Sequence, residues 1–418
     1  MYNKKRVLWV SHFAPYPVKG GAMQRAFNML KECSQFSEID FVSLLPVSEV
    51  TAYYPDFQAG ILDIKNNLSQ YCRSLNLIPH GVNGRKFNKY LNAARSLLSS
   101  YPYDVVALKS SSFQFILESC LENNHYDLIY VDTIGLSPYL DNISAKVILN
   151  HHNVESHMLE RRAALDHGLL SLYLRWQAKK TMALEKKFSN RFQLNFTCSE
   201  LDSQRLKAIT DCKTVSIPNG VDLTYFSRKK PYVHSNTKGI IFAGGLEWYP
   251  NTSAIDFIVD EIEPKLSESK LMTSITIYGK GSHKKLEKRS VEAGSLVSKG
   301  GFVDDIRVPM ESARMYICPI KDGGGTKLKI LDALAMGIPL IANPVACEGI
   351  DVENGKHVIF AETPEEYLTA ISRLNEDSRL CEEMSRAGIK LIEQQYSYKH
   401  IGNKIQKAME ELVNEPVL

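Results

Sequence analysis

The sequence lacks the features by which three large classes of protein are recognised. It has no run of about 18 uncharged apolar residues, so no membrane-spanning helix is expected. The eight cysteines are scattered, with neither a Cys-x-x-Cys pair nor a Cys/His cluster at zinc spacing, and are expected to be reduced and buried. Fifty basic against 47 acidic side chains leave a net charge of +3, a balance that does not point to nucleic acid.

Internal repeats and low-complexity segments are also absent, and 44% hydrophobic with 23% charged residues is ordinary for a globular protein. The first apolar stretch is too short for a signal peptide and leads into a Gly/Pro turn. We therefore expect a cytoplasmic protein whose only membrane contact is peripheral, at the inner face of the cell membrane. The length of 418 residues favours two or three domains.

Short apolar runs alternate with longer amphipathic stretches, the pattern of βα units around a parallel sheet. In the first half of the chain, strands are predicted at residues 6–11, 39–45, 127–132, 146–150 and 193–198. The longest predicted helix covers residues 155–188. In the second half, strands are predicted at residues 239–243, 274–278, 315–319, 339–342 and 357–360.

A polar segment without periodicity, residues 227–238, is predicted to link two Rossmann-like domains, residues 1–226 and 239–395. The amphipathic C-terminal segment, residues 396–418, is expected to pack back on the first domain. Ligands of parallel sheets bind beyond the carboxyl ends of the strands. The site is therefore expected in a cleft between the two facing domains.

The most informative segment is CPIKDGGGTKLKILDALAMGIP, residues 318–339. Its three consecutive glycines allow close approach to a ligand, and the N-terminus of the helix that starts near Thr326 offers N–H donors to an anion. Lys327 adds a full positive charge, and Asp332 can accept hydrogen bonds from sugar hydroxyls. The alternative is a flexible loop in which Thr326 only caps the helix and Lys329 pairs with Asp332 on the surface.

Two glycine pairs lie at comparable places. Gly244 and Gly245 follow the first strand of the second series, and Gly20 and Gly21 precede the first helix of the chain. Each pair allows a backbone to approach a ligand closely. Each is equally compatible with an ordinary turn between a strand and a helix.

Other segments are individually weaker. In NHHNVE, His151 and His152 follow a predicted strand, where one imidazole can hydrogen-bond a sugar hydroxyl or a phosphate, or both can be buried in a helix-entry turn. PNGVD, residues 218–222, has the composition of a structural turn. The basic, aromatic stretch of residues 169–191 can touch an anionic membrane or form a solvated helix face.

Together these segments resemble the family 4 group of retaining glycosyltransferases (glycosyl transferases group 1), which have the GT-B fold. PNGVD, FAGGLEWYPN, GGGTKLKILDALAMGIPLIA, ACEGI and HVIFAETPEEYLTAI resemble that family in its order, and so do the first glycine pair and HNVE. The resemblance covers nearly all of the second domain and scattered points of the first. It implies an α/β fold of two facing Rossmann-like domains, the second binding a nucleoside-diphosphate sugar and the first an acceptor.

The resemblance also implies roles for single residues. Lys327 and neighbouring amides would hold the diphosphate, so that neither a metal ion nor a cofactor is expected. Asp332 would bind the ribose, and His152, with His151 as the second choice, would lie beside the transferred sugar. The glycines of residues 20–21 would lie near the diphosphate or the acceptor. The implied donor site consists of Gly244, Gly245, Val303, Asp304, Gly323, Gly324, Gly325, Thr326, Lys327, Lys329 and Asp332.

Two features depart from the family pattern. The family commonly has two glutamates eight positions apart around this helix, whereas here the second is Asp332 and the first is Gly324. The carboxylate that contacts the sugar is therefore missing, or Asp322 or main-chain amides take its role. Basic residues that usually follow the second domain's first strand are also absent, which places phosphate binding on Lys327 and Lys329. A subgroup with a GGGT-type loop shares both departures.

We therefore expect metal-independent transfer of a sugar, with retention, to a glycan or lipid-linked acceptor of bacterial-type surface polysaccharide or glycolipid synthesis. Two alternatives stay open. One is a nucleotide-sugar-binding scaffold or regulator without transfer. The other is a GT-B-like epimerase that changes the sugar of a nucleotide sugar without an acceptor.

Overall fold

The computed structural model describes residues 4–81, 86–269, 271–322 and 326–416. The chain divides into two compact units, Met1–Pro218 with Ile401–Leu418, and Asn219–His400. The segment predicted as a linker, residues 227–238, lies in the second unit by this division. Two of its side chains attach it to that unit. The Tyr232 hydroxyl donates to the Arg314 carbonyl at 3.1 Å, and Arg228 donates to the carbonyls of Glu311 and Met336 at 2.6 and 3.2 Å.

The first unit is built on seven parallel strands in the order β3-β2-β1-β4-β5-β6-β7. The strands are β1 (Lys5–Ser11), β2 (Ser37–Pro46), β3 (Ser74–His80), β4 (Leu128–Val131), β5 (Val147–Asn150), β6 (Leu194–Thr197) and β7 (Thr214–Ser216). The helices are α1 (Gly21–Phe36), α2 (Val47–Thr51), α3 (Phe57–Leu68), α4 (Lys86–Leu98), α5 (Tyr103–Ala107), α6 (Ser111–Asn123), α7 (Glu155–Leu165), α8 (Gly168–Arg191) and α9 (Glu200–Lys207), with a 3-10 helix at Ile134–Leu140.

The central strands of this sheet are continuous apolar runs because helices cover both of their faces. All residues of β4 and β5 are buried, and the rings of Trp9 on β1 and Tyr130 on β4 stack with centroids 3.8 Å apart. All five strands predicted for the first half are present. The edge strands β3 and β7 were missed, because β3 contains Pro79 and mixed polar residues and β7 is only three residues long.

The second unit has six parallel strands in the order β10-β9-β8-β11-β12-β13. They are β8 (Ile240–Ala243), β9 (Ile275–Tyr278), β10 (Val297–Gly301), β11 (Met315–Cys318), β12 (Leu340–Ala342) and β13 (Val358–Phe360). The helices are α10 (Tyr249–Phe257), α11 (Glu263–Glu268), α12 (Lys284–Ser290), α13 (Arg307–Ser312), α14 (Leu328–Ala335), α15 (Pro364–Glu376) and α16 (Ser378–Leu391), and α17 (Tyr398–Asn414) begins in this unit. The short helical segments are Ile258–Ile262, Ile392–Tyr396, His234–Asn236 and Pro344–Cys347. These two sheets confirm the predicted α/β class with Rossmann-like halves.

The prediction of one helix over residues 155–188 was wrong. The chain forms α7 and α8 instead: Asp166 and His167 between them are extended, and Gly168, the first residue of α8, has φ +66°, a left-handed conformation that glycine adopts readily. The periodicity continues through the break because both helices bury one face, so the apolar pattern alone does not show where the helix ends.

The last helix, α17, begins in the second unit and ends in the first. Near its end, the carbonyls of Leu412 and Val413 accept hydrogen bonds from the Lys146 ammonium, both at 2.9 Å. A side chain at Gly402 would meet Glu32 of α1 at 2.7 Å, so α17 lies close against that helix. Among the described residues, no helix is both long and apolar enough to cross a bilayer.

Gly337 should be more sensitive to alanine than another glycine of similar conformation. It follows α14 with φ +58°, and an added Cβ would meet the Ser385 hydroxyl at 2.5 Å and Ile389 Cδ1 at 2.8 Å. Gly355 has φ +78° with no atom within 4 Å. We expect Gly337→Ala to lower the free energy of unfolding by about 3 kcal/mol and Gly355→Ala by about 1 kcal/mol, in calorimetry. Equal losses would contradict this packing.

Candidate functional site

Each sheet has one point where the strand order changes direction, between β1 and β4 in the first unit and between β8 and β11 in the second. Connections leave such a point toward opposite faces, and a crevice opens beyond the carboxyl ends of the strands. The segments singled out in the sequence follow these strands. Gly244 and Gly245 follow β8, and the glycine-rich segment follows β11.

Three predicted site residues, Gly323, Gly324 and Gly325, lie outside the described residues. The chain is described again from Thr326 and Lys327, which are 7% and 5% exposed and immediately precede α14. The first turn of a helix has N–H groups without acceptors in the helix and the positive end of its dipole. No acidic side chain occupies the first turn of α14. This end of α14 therefore favours an anion.

Asn219 fixes the start of this helix entry. Its amide group donates to the Thr326 hydroxyl at 2.8 Å and to the Thr326 carbonyl at 3.2 Å. Asn219 is itself buried. The PNGVD segment is therefore more than a turn, because it positions the residue that precedes Lys327.

Lys329 lies within the site and links its two loops. Its ammonium donates to the Asn251 side-chain carbonyl at 2.6 Å and lies 4.5 Å from the centre of the Phe242 ring. The Asn251 amide donates in turn to the Gly245 carbonyl at 2.8 Å. Burial, assisted by repulsion from Lys327, lowers the pKa of Lys329 to about 8, against the opposing influence of Cys318 and Asp332.

The two glycines after β8, Gly244 and Gly245, differ in the space that surrounds them. A Cβ at Gly244 would meet the Asn251 amide nitrogen and the Lys329 ammonium, each at 2.6 Å. Glycine at this position is thus required by the protein's own packing. A Cβ at Gly245 would meet nothing within 4 Å, and this residue is exposed. The space at Gly245 is available to a ligand.

The other predicted donor residues follow β10 and β11 or lie on α14. Asp332 is half-buried on α14, one turn after Lys329, and Asp322 is half-buried just before the undescribed glycines. Val303 and Asp304 follow β10, half-buried and exposed respectively. Since β10 is two strands from β8, about 10 Å separates their ends.

In the first unit, a polar cluster lies at the carboxyl ends of β1, β4 and β5. Asp132 is its centre: its carboxylate accepts from the Asn150 amide at 2.9 Å and from the Ser11 hydroxyl at 3.3 Å, and lies 3.2 Å from Nε2 of His152. Burial raises the pKa of Asp132. The charge attraction of His152 and His12 and the hydrogen bonds from His152 and Asn150 outweigh burial, so the pKa of Asp132 is lowered overall.

His12 completes this cluster, with its ring centre 6.2 Å from that of His152. Its Nδ1 is buried without a hydrogen-bond partner among the described residues. Burial lowers the pKa of His12 to about 4 despite the charge of Asp132, and repulsion from His152 acts in the same direction. His12 is therefore neutral near pH 7 and can accept or donate one hydrogen bond.

The two predicted histidines have different environments. His151 is 2% exposed, and its Nε2 lies 3.0 Å from the Asn195 side-chain oxygen. Burial lowers its pKa to about 4, partly offset by Asn195. His152 is half-buried beyond the carboxyl end of β5 and hydrogen-bonds Asp132. Only His152 is thus brought into the cluster.

The first glycine pair lies at the entry of α1. Gly20 precedes the helix with φ +108°, and neither Gly20 nor Gly21 is buried. Arg25 of the same helix is 2% exposed and donates to the Asn150 side chain at 3.2 Å and to the Pro218 carbonyl at 2.9 Å. Arg25 thus connects α1 to the polar cluster.

Sequence reasoning missed several of these residues. The signal that could have found them is a polar side chain at the carboxyl end of an otherwise apolar strand, which fits Ser11, His12, Asp132 and Asn150. Asn219 and Asn251 lie in segments that the sequence singled out, but their roles depend on contacts distant in sequence and could not be predicted. Among the described residues, no group of three or more His, Cys, Asp or Glu side chains is arranged to hold a metal ion.

Comparison with known proteins identifies the second unit. Residues 237–377 match the family model described as Glycosyl transferases group 1. No curated protein sequence matches the chain. The second unit therefore carries a glycosyl transferases group 1 domain.

Solved structures share the fold of the whole chain. HepE of Anabaena in complex with UDP has a TM-score of 0.67 at 14% identity, covering 97% of this chain and 100% of that one. Sucrose-phosphate synthase from Thermosynechococcus elongatus has a TM-score of 0.68 at 13% identity, and the match covers 98% of this chain and 99% of that one. A variant of S. aureus TarM, solved with fondaparinux, α-GlcNAc-glycerol and UDP, has a TM-score of 0.66 at 14% identity, and the match covers 98% of this chain and 100% of that one. The chain has the GT-B fold, as predicted.

Lys329 should make the binding of a nucleoside diphosphate depend on pH. With a pKa of about 8, its ammonium is charged at pH 7 and mostly neutral at pH 9. Affinity for UDP or GDP, whichever binds, should therefore fall about tenfold over this interval. Calorimetry with Lys329→Met provides the control, since this variant retains the ligand's own titration. The same pH dependence in both proteins would exclude a role for Lys329.

Proposed function

We propose that the protein transfers a sugar, with retention, from a nucleoside-diphosphate sugar to a glycan or lipid-linked acceptor. The observation that carries this proposal is the anion-favouring entry of α14, where buried Lys327 and the Thr326 held by Asn219 lie beside Lys329. Negative charge develops on the leaving diphosphate as the glycosidic bond breaks. Fixed cations and helix N–H groups at that point stabilise it.

The same groups support metal independence as part of the proposal. Lys327, Lys329 and the dipole of α14 supply positive charge that other transferases take from a divalent cation. Asp332 is assigned to the ribose hydroxyls, and Val303 with Asp304 to the base. Asp322 or main-chain amides are assigned to the sugar, since the family carboxylate is replaced by Gly324.

The first unit is assigned to the acceptor and the transferred sugar. His152, oriented by the Asp132 carboxylate at 3.2 Å, is proposed to hydrogen-bond the sugar, and neutral His12 offers a second polar contact beside it. Gly20 and Gly21 are assigned to the diphosphate or the acceptor. We place the reaction in the cytoplasm at the inner face of the membrane, in bacterial-type surface polysaccharide or glycolipid synthesis.

Lys327→Ala should lower the transfer rate by about 100-fold or more, because a cation facing the developing charge is lost. The measurement is sugar transfer from UDP- and GDP-sugars in the presence of EDTA, with the product anomer determined by NMR. Lys356→Ala is the control, since Lys356 is exposed and pairs with Glu353. Unchanged transfer in Lys327→Ala would refute the phosphate role.

The same assay separates the alternatives. Donor binding without product over a broad acceptor panel would support a scaffold or regulator. A changed sugar after incubation with donor alone would support an epimerase. An inverted anomer in the product would contradict retention.

A further inference from the structure

Two helices of the first unit, α4 and α8, concentrate positive charge that the whole chain lacks. The full sequence has 50 basic and 47 acidic residues. The sequence of α4 has three basic residues and no acidic one, and that of α8 has six basic residues and one acidic residue, Glu185. Glu185 is fully buried, and Lys187 and Arg191 both pair with Asp141. The exposed charge of α8 is nevertheless positive, because Arg175, Lys179 and Lys186 are also exposed.

The same helices expose large apolar side chains. On α8, Leu169, Leu172 and Trp176 are 86%, 64% and 49% exposed, and their spacing of three and four residues places them on one face. At the end of α4, Leu97 and Leu98 are 52% and 94% exposed. Side chains of this size are normally buried, and each one that is withdrawn from water gains about 1.5–3 kcal/mol.

The two helices that carry these apolar side chains contact one another. The Ser96 hydroxyl of α4 lies 3.1 Å from the Tyr173 hydroxyl of α8 and accepts from the Gln177 amide at 3.0 Å. The Lys180 ammonium donates to the carbonyls of Ser96 and Ser99, both at 2.6 Å, and lies 5.2 Å from the centre of the Trp176 ring. The end of α4 therefore packs against the middle of α8, beside the turn of α8 that carries Trp176.

We propose that this surface, the α4–α8 face formed by Leu97, Leu98, Leu169, Leu172 and Trp176, docks on a bilayer rich in anionic phospholipid. It combines an apolar centre with exposed basic neighbours and a tryptophan, the composition that interfacial helices use. It rests on the proposed function in one respect, because a lipid-linked acceptor would bring the protein to a bilayer.

Charge favours this occupant over a second copy of the chain. Pairing two α4–α8 faces would bring two sets of exposed lysines and arginines together, and like charges oppose such contact. Anionic headgroups instead attract each exposed basic side chain while the acyl region receives the apolar ones. Arg175 and Lys179, both exposed, flank Trp176 on α8.

The test is co-sedimentation of the full chain with vesicles of phosphatidylcholine alone or mixed with phosphatidylglycerol. We expect binding to the mixed vesicles that weakens with salt, and at least about tenfold weaker partition for Leu172→Ser/Trp176→Ser. Arg175→Glu/Lys179→Glu should also lose binding. The matched control is Met272→Ser/Val291→Ser, which removes two side chains of the second unit that are 82% and 84% exposed; its binding should equal wild type.

Absence of wild-type binding to the mixed vesicles would overturn the proposal, and so would equal losses in the control. Self-association that needs Leu172 and Trp176, measured by light scattering without vesicles, would assign the face to a second copy instead. Circular dichroism establishes that each variant is folded. Vesicle binding is measured without donor, so its outcome is independent of whether the protein transfers sugar.

Discussion

The candidate site of the second unit depends on holding two lysines, buried Lys327 and half-buried Lys329, close together at the entry of one helix. Burying like charges next to each other is unfavourable unless polar groups or an anion compensate. Part of the compensation for Lys329 is visible in the Asn251 carbonyl and the Phe242 ring. The cost that remains is expressed in the lowered pKa of Lys329. A diphosphate provides the charge that such a site favours.

The position of these lysines explains the identity of the residues that contact them or precede them. Gly244 has no side chain because Lys329 and Asn251 occupy the space where a Cβ would lie. Asn219 holds Thr326, and thereby the direction in which the chain enters α14. In the first unit, the buried Asp132 carboxylate organises the polar cluster in a similar way, because Ser11, Asn150 and His152 all contact it.

The sequence predicted the parts of the fold that rest on composition and periodicity. The ten predicted strands are all present because buried parallel strands are continuous apolar runs, whereas three edge strands, β3, β7 and β10 with its two glycines, carry weaker patterns. The break between α7 and α8 shows the same limit, since two extended residues and the left-handed Gly168 interrupt the helix without changing the apolar pattern. For the site, strand ends and glycines located the loops, but Asn219 and Asn251 act through contacts that no local pattern records.

The central claim is that the donor's diphosphate is bound where α14 begins. A crystal structure of the protein with UDP or GDP tests it most directly. The account predicts the diphosphate within about 3 Å of the Lys327 ammonium and of main-chain N–H groups at the start of α14, with the base toward Val303. A diphosphate bound elsewhere, with Lys327 and Lys329 making no contact to it, would contradict the account.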